Sequence, residues 1–190
     1  MTLRLDLLRH GETERGGGLR GSLDDALTPL GWQQMHQAVS KPAAWDLILS
    51  SPLQRCARFA EALAAQLSLP VAFEPDLQEL HFGDWEGVST SQLMESDAEG
   101  LGRFWENPYT FTPPNGEPVS AFSERVRGAV RRLHQIHDGQ RILLISHGGV
   151  MRLLLAQARR LPCEQLLQVV VGHGDLFGLD VDADGLLTEV

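Results

Sequence analysis

The chain has 190 residues, 43% of them hydrophobic, and a formal net charge of −9; this fits one soluble domain with a proper core and argues against nucleic acid as a partner, which calls for a basic footprint. No apolar run approaches the ~20 residues that span a bilayer, and Leu3 enters an alternating pattern at once, without the charged-then-apolar leader of a secreted protein. Cys56 and Cys163 fall on predicted helices and need not pair, in keeping with a reducing cytoplasm.

Leu3, Leu5 and Leu7 alternate with Thr2, Arg4 and Asp6 and predict a strand over 3–8. It ends in Leu8-Arg9-His10-Gly11-Glu12-Thr13, and a histidine at the lip of a buried sheet stands where ligands of open α/β folds bind. Arg9 offers a planar fork of donors to phosphate oxygens, Gly11 lets backbone approach a ligand, and Thr13 adds a hydroxyl. Gly16-Gly17-Gly18 reads as a flexible loop, and a helix over 29–40 starts at Thr28-Pro29, with His36 expected in solvent.

A strand over 46–50 runs into Ser50-Ser51-Pro52-Leu53-Gln54-Arg55. Ser51 reads as the N-cap and Pro52 as the first residue of a helix over 52–67. Arg55 then reaches back over the strand end, while Arg58 belongs to the surface. After a strand over 70–74, Leu77 to Gly87 holds three acids and two glycines among aromatics, as suits a shaped loop lining a cleft. Glu79, Asp84 and Glu86 are each chemically able to donate a proton, and their order does not choose between them. Residues 82–117 read as an insertion with short helices, a cap over the pocket in which Trp85, Phe104, Trp105, Tyr109 and Phe111 gather. Most of these aromatics are expected in the cap's own core, with one or two left to stack on a ligand.

Val119, Phe122, Val126, Val130, Leu133 and Ile136 recur at helical spacing over 118–137. His134 and His137 share a face of that helix without the company of a zinc site. Arg141 to Ser146 does not alternate, so it predicts a strand buried on both faces. It ends at His147-Gly148-Gly149, where a helix over 149–159 begins and its unpaired N–H groups favour an anion. His81 is expected to border the pocket, and His173 to fall near the strand ends. Strands over 175–181 and 186–190 close the chain around the turn Asp182-Ala183-Asp184-Gly185. Strands alternating with helices predict a three-layer α/β/α sandwich around a mainly parallel sheet. Two histidines and two arginines thereby come from three strand ends, which is a phosphate pocket made by topology.

Arg9-His10-Gly11-Glu12-Thr13, Arg55, Glu79 and His147-Gly148 together resemble the signature of the histidine phosphatase superfamily, the relatives of cofactor-dependent phosphoglycerate mutase. The likeness runs from Leu3 to about Leu161 and takes in Asp24 to Gly31, Ser51 to Arg55 and Phe82 to Gly87. Within it, Asp97-Ala98-Glu99, Phe104-Trp105, Pro113 to Glu117 and Ala121 to Val126 are similar to the alpha-ribazole phosphatases of the cobalamin pathway.

The resemblance implies a phosphoglycerate mutase-like fold and covalent transfer through a phosphohistidine. His10 would be the nucleophile, kept unprotonated by nearby arginines. Arg9, Arg55 and His147 would hold the non-bridging oxygens, with Thr13 and the N–H of Gly148 in support. Glu79 would protonate the leaving alkoxide and then activate water, for which a raised pKa is expected. Arg20, His81, Trp85, Trp105 and Tyr109 are the candidates for the substrate pocket. No metal and no cofactor are implied.

Gly16 stands where many relatives have a phosphate-binding asparagine; backbone N–H groups of the glycine loop, or Arg20, are the candidates to replace it. Phe59, where relatives often have threonine, is read as packing. The implied activity is that of a metal-independent phosphomonoesterase acting on a small phosphate ester, alpha-ribazole 5′-phosphate or its cobalamin-linked form. A broad sugar-phosphate phosphatase or a mutase is the alternative, and the short stretch between Glu79 and His147 counts against a mutase. A non-catalytic phosphate-binding protein is disfavoured because every matched position holds a competent residue. Nothing in the sequence speaks to the oligomeric state.

Overall fold

The computed structural model describes residues 1–41 and 43–190. Its described strands, β1 (Leu3–Arg9), β2 (Leu47–Ser50), β3 (Val71–Phe73), β4 (Arg141–Ser146), β5 (Leu176–Val181) and β6 (Leu187–Glu189), form one sheet in the order β3-β2-β4-β1-β5-β6. The first four strands run parallel, β5 is antiparallel to β1, and β6 is antiparallel to β5. Arg9 lies opposite Ser146 and Ser50 opposite Ile145, so the C-terminal ends of β1, β4 and β2 are level. Residues 10, 51 and 147 therefore leave the sheet side by side, at the edge where open α/β folds bind ligands.

Helices cover both faces. Met35 of α1 (Pro29–Ala38) and Cys56, Phe59 and Leu63 of α2 (Gln54–Leu67) pack on Leu8, Ile48, Leu143 and Ile145. Phe122, Val126 and Val130 of α5 (Val119–His137) and Val150 and Leu154 of α6 (Gly148–Ala158) pack on Leu3, Leu5, Leu7 and Leu144. β4 is buried from Ile142 to Ser146, which is why its apolar run is unbroken. The alternation of β1 has another origin: Asp6 is buried too, accepting from Trp45 Nε1 (2.7 Å), Arg141 Nε (2.8 Å) and Arg4 Nε (3.1 Å). Asp6 is polar because it anchors a network whose arginines, Arg4 and Arg141, reach toward solvent.

Several boundaries differ from the sequence reading. α2 starts at Gln54, two residues late, and its N-cap position is Leu53, without a side-chain bond. Ser51 is drawn away by His147, whose Nε2 lies 2.7 Å from its hydroxyl. Ile136, the last position of the apolar stripe on α5, is 71% exposed because the helix has run past the sheet. Phe59 is fully buried against the rings of Trp32 and His36, centroids 5.5 and 4.9 Å away. Between residues 82 and 117 lie a 3₁₀ turn at Gly83–Trp85, α3 (Thr90–Ser96) and α4 (Ala98–Glu106). Ser89 and Gln92 form a capping box on α3, and Asp97 caps α4 by accepting from Gly100 N (3.0 Å). No helix among the described residues is long and apolar enough to cross a membrane.

Candidate active site

Arg9, His10, Thr13, Arg20, Glu79 and His173 line a cleft of about 330 Å³. His10 follows β1 directly, and its backbone N–H donates to Ser146 O at 3.0 Å, which ties it to the neighbouring strand. Its Nδ1 is 2.8 Å from Gly11 O. A carbonyl only accepts, so the proton sits on Nδ1 and Nε2 keeps its lone pair. Burial, then the Arg55 charge, push the pKa of His10 well below the usual histidine value; Arg9 and His173 add to this, and the Gly11 bond only partly opposes it. His147 is fully buried, held by Ser51, with its ring 5.4 Å from that of His10 and tilted by 64°. Its pKa is pushed well down by burial first, then by Arg55, His10 and Arg9. Two neutral imidazoles thus face each other.

The arginines around them are pinned by the backbone. Arg55, also fully buried, donates to Leu23 O (2.6 Å) and Gly21 O (2.8 Å). Arg9 donates to Val171 O (2.6 Å). Buried Asp25 lies 3.2 Å from Arg20 Nε and 3.9 Å from Arg55 Nη1. Among the described residues, five buried side-chain polar atoms lack a hydrogen-bond partner; two of them are the Nε atoms of Arg9 and Arg55, and a third, Arg20 Nε, has its ion pair with Asp25. Buried donors without partners are rare. Those of Arg9 and Arg55, whose charges both act on His10, suit an anion with several acceptor oxygens.

Of the three candidate acids, Glu79 alone reaches the cleft. Its carboxylate accepts from Gly149 N (2.8 Å) and Leu80 N (3.0 Å). Asp84 is occupied by Asn115 Nδ2, 3.1 Å from each oxygen, and Glu86 by the N–H groups of Gly21, Ser22 and Phe82 at 3.0, 2.8 and 3.1 Å. Arg125 of α5 fixes the strap that carries Glu79, donating to Asp76 O (2.7 Å), Gln78 O (2.9 Å) and Glu79 O (3.0 Å) while pairing with Glu117 (2.7 Å).

With this geometry in place, comparison with known proteins is decisive for the family: residues 5–189 match the histidine phosphatase superfamily (branch 1). The chain belongs to that superfamily. It is 34% identical to the adenosylcobalamin/alpha-ribazole phosphatase of Escherichia coli K12, over 95% of this chain and 91% of that one. It matches the structure of the alpha-ribazole phosphatase from Shigella flexneri with a TM-score of 0.83 at 34% identity, covering 98% of this chain and 94% of that one. A mycobacterial glucosyl-3-phosphoglycerate phosphatase gives a TM-score of 0.86 at 26% identity, covering 100% and 97%.

In this histidine phosphatase, Glu79 also borders a second pocket of about 240 Å³, shared with Leu19, Phe82, Phe104, Trp105 and Arg152. One carboxylate thus stands between a polar cleft and a largely apolar one. Trp105, 48% exposed, is where the sequence reading put it, at a pocket wall. Gly148 opens α6 against Arg9, whose Nε would be 3.2 Å from a β-carbon there. Thr13 is buried at the cleft, and Arg20 lines it.

Three candidates line neither the cleft nor the second pocket. Trp85 is 3% exposed, turned inward by its 3₁₀ turn onto Phe104 and Phe111 (centroids 5.8 and 5.6 Å). His81 is exposed and spends its Nδ1 on Gly83 N (2.9 Å). Tyr109 faces a separate depression with Ser123 and Arg127 of α5. Gly11 has a different purpose from the one expected: a β-carbon on it would strike the backbone of Gly31, so it lets α1 dock against the His10 loop.

Sequence reasoning passed over Asp25, Arg125, Gly149 and Arg152, and took Ser51 for a cap. Arg152 was open to detection, since it lies one turn after Gly148 on the same helical face. Arg125 left little local sign, because apart from Glu117 its partners are backbone carbonyls more than forty positions away in the chain.

Proposed function

We propose that this histidine phosphatase is a metal-independent phosphomonoesterase that works through a phosphohistidine at His10 and dephosphorylates alpha-ribazole 5′-phosphate or its cobalamin-linked form. The observation that carries the chemistry is the pairing of an unprotonated, buried His10 Nε2 with the guanidinium groups of Arg9 and Arg55, whose charges act on it and whose Nε atoms have no hydrogen-bond partner. Nε2 attacks phosphorus with its lone pair and the P–O bond to the alcohol breaks. Glu79 delivers its proton to the departing oxygen. In the second step Glu79 takes a proton from water, the hydroxide attacks phosphorus, and the N–P electrons return to Nε2. Arg9, Arg55, His147, Thr13 and the Gly148 N–H hold the non-bridging oxygens, and Arg20 joins them. These fixed cations and dipoles supply the stabilisation that phosphoryl transfer needs.

The substrate reading rests on the relatives' activity and on the pocket beyond Glu79. Phe82, Phe104 and Trp105 there suit a flat, apolar alcohol. Both cysteines are free thiols, in keeping with work in a reducing cytoplasm. The test is phosphate release in EDTA from alpha-ribazole phosphate, 3-phosphoglycerate, fructose 6-phosphate and p-nitrophenyl phosphate, by wild type and His10→Ala. The expected result is a strong preference for alpha-ribazole phosphate, insensitive to EDTA and abolished in the variant. Equal release from all four removes the substrate assignment, and activity surviving in His10→Ala removes the mechanism.

Arg152 favours a second reading. It anchors Nε on Val169 O (3.0 Å) and lines the alcohol pocket, where a cation suits an alcohol bearing its own anionic group, as in a phosphoglycerate derivative. Under that reading Arg152→Leu selectively loses turnover of the carboxylated ester in the same panel.

A further inference from the structure

Part of the cleft wall is a turn that the chemistry above leaves unused. His173 sits on it, its ring centroid 5.7 Å from that of His10 and tilted by 40°. The turn is tied to Arg9 three times: Arg9 N donates to Asp175 O (3.0 Å), Gly174 N to Arg9 O (3.2 Å), and Arg9 Nη1 to Val171 O (2.6 Å). Gly172 N closes it onto the Asp175 carboxylate at 2.6 Å. Gly174 has φ +72°, and a β-carbon there would come within 2.9 Å of Gln34 O. The backbone that carries His173 is therefore held by the same strand end that holds the nucleophile. Among the described residues its ring nitrogens have no hydrogen-bond partner, although the ring lines the cleft.

The loop Gly16-Gly17-Gly18 forms another part of the wall and offers no side chain; a β-carbon at Gly16 or Gly17 would meet nothing within 4 Å. Phosphorus poised for attack lies roughly 3–3.5 Å from Nε2, and in so small a cleft its oxygens come within reach of the His173 ring. The charged groups around that ring are Arg9 and Glu12, and Glu12 is already engaged by Thr28 Oγ1 at 2.9 Å. Partial burial and then Arg9 hold the pKa of His173 below the usual value, against Glu12. At neutral pH the ring thus offers one N–H without adding charge.

We infer that His173 is a substrate-binding residue, donating its ring N–H to a non-bridging oxygen of the phosphoryl group. This rests on the phosphohistidine reading and adds a ligand to it. His173→Ala, His173→Leu and His173→Gln are compared with wild type for KM, kcat, the inhibition constant of inorganic phosphate, and thermal midpoint. Loss of a hydrogen bond to a charged oxygen raises KM and the phosphate inhibition constant together by about tenfold in Ala and Leu. Gln, which restores an N–H at similar reach, recovers most of that loss, and kcat changes much less than KM. An unchanged phosphate inhibition constant in Ala, or a Gln variant as impaired as Leu, overturns the inference. Either result leaves the phosphohistidine standing, because that reading fails only when His10→Ala stays active.

Discussion

A β-carbon at Gly149 would occupy the space of Glu79 Oε1. Gly149 also lies in the first turn of α6, where alanine improves helix propensity by up to about 1 kcal/mol. Gly149→Ala is therefore expected to melt close to wild type while kcat falls at least about tenfold, as the acid is pushed off its position. Unchanged turnover would show that Glu79 needs no such exact seat. The two buried histidines bear on stability through pH. Both hold folded pKa values below the unfolded value, so the stability tied to their neutral form is complete above pH ~6.5 and declines below it, by up to about 1.4 kcal/mol per pH unit per ring. Urea unfolding between about pH 7.5 and pH 5 should show this decline, and His147→Gln should make it shallower. His10, Arg9, Arg55 and His147 stand out in the sequence because each lies at or just after the end of a strand or in the first turn of a helix. The sequence could not rank Glu79 above Asp84 and Glu86, since that choice is made by Asn115 and by the Gly21–Ser22 strap, which reach them from distant parts of the chain.

Helix α5 does more than cover the sheet. Arg125 reaches from it to three carbonyls of the strap that ends in Glu79. Arg125→Met strands those acceptors and the Glu117 carboxylate together. The expected cost is about 2–4 kcal/mol in urea unfolding, with a fall in kcat larger than any change in KM; retention of both would mean that the strap holds its shape alone. At this scale the sequence was read well where periodicity reports burial, as in β4 and most of α5. It misplaced the start of α2 because Ser51 and Pro52 carry a convincing cap signature, yet the serine hydroxyl is claimed by the histidine that follows β4. The alternation in β1 was visible, but its cause was not: Trp45 and Arg141 that satisfy Asp6 come from separate segments.

Over the whole molecule, a net charge of −9 surrounds a cleft built of arginines. A dianionic ester meets repulsion at long range and attraction only at contact. Salt screens the first beyond a Debye length of about 10 Å and hardly touches the second. Raising an inert salt from about 10 to about 150 mM should thus increase kcat/KM severalfold at most, whereas a decrease would indicate that the cleft's own field extends well into solvent. Beneath that cleft, Cys56 lies fully buried, its sulfur 3.8 Å from His147 Nε2 and its thiol pushed up to about 12, chiefly by burial. Thiolates, not thiols, react with alkylating agents and peroxide. Such reagents should take exposed Cys163 quickly and leave phosphate release untouched. Cys56 will then be modified only as fast as α2 lifts from the sheet, so its labelling rate is a clock, already present in the wild-type chain, for the opening of the core that supports the nucleophile.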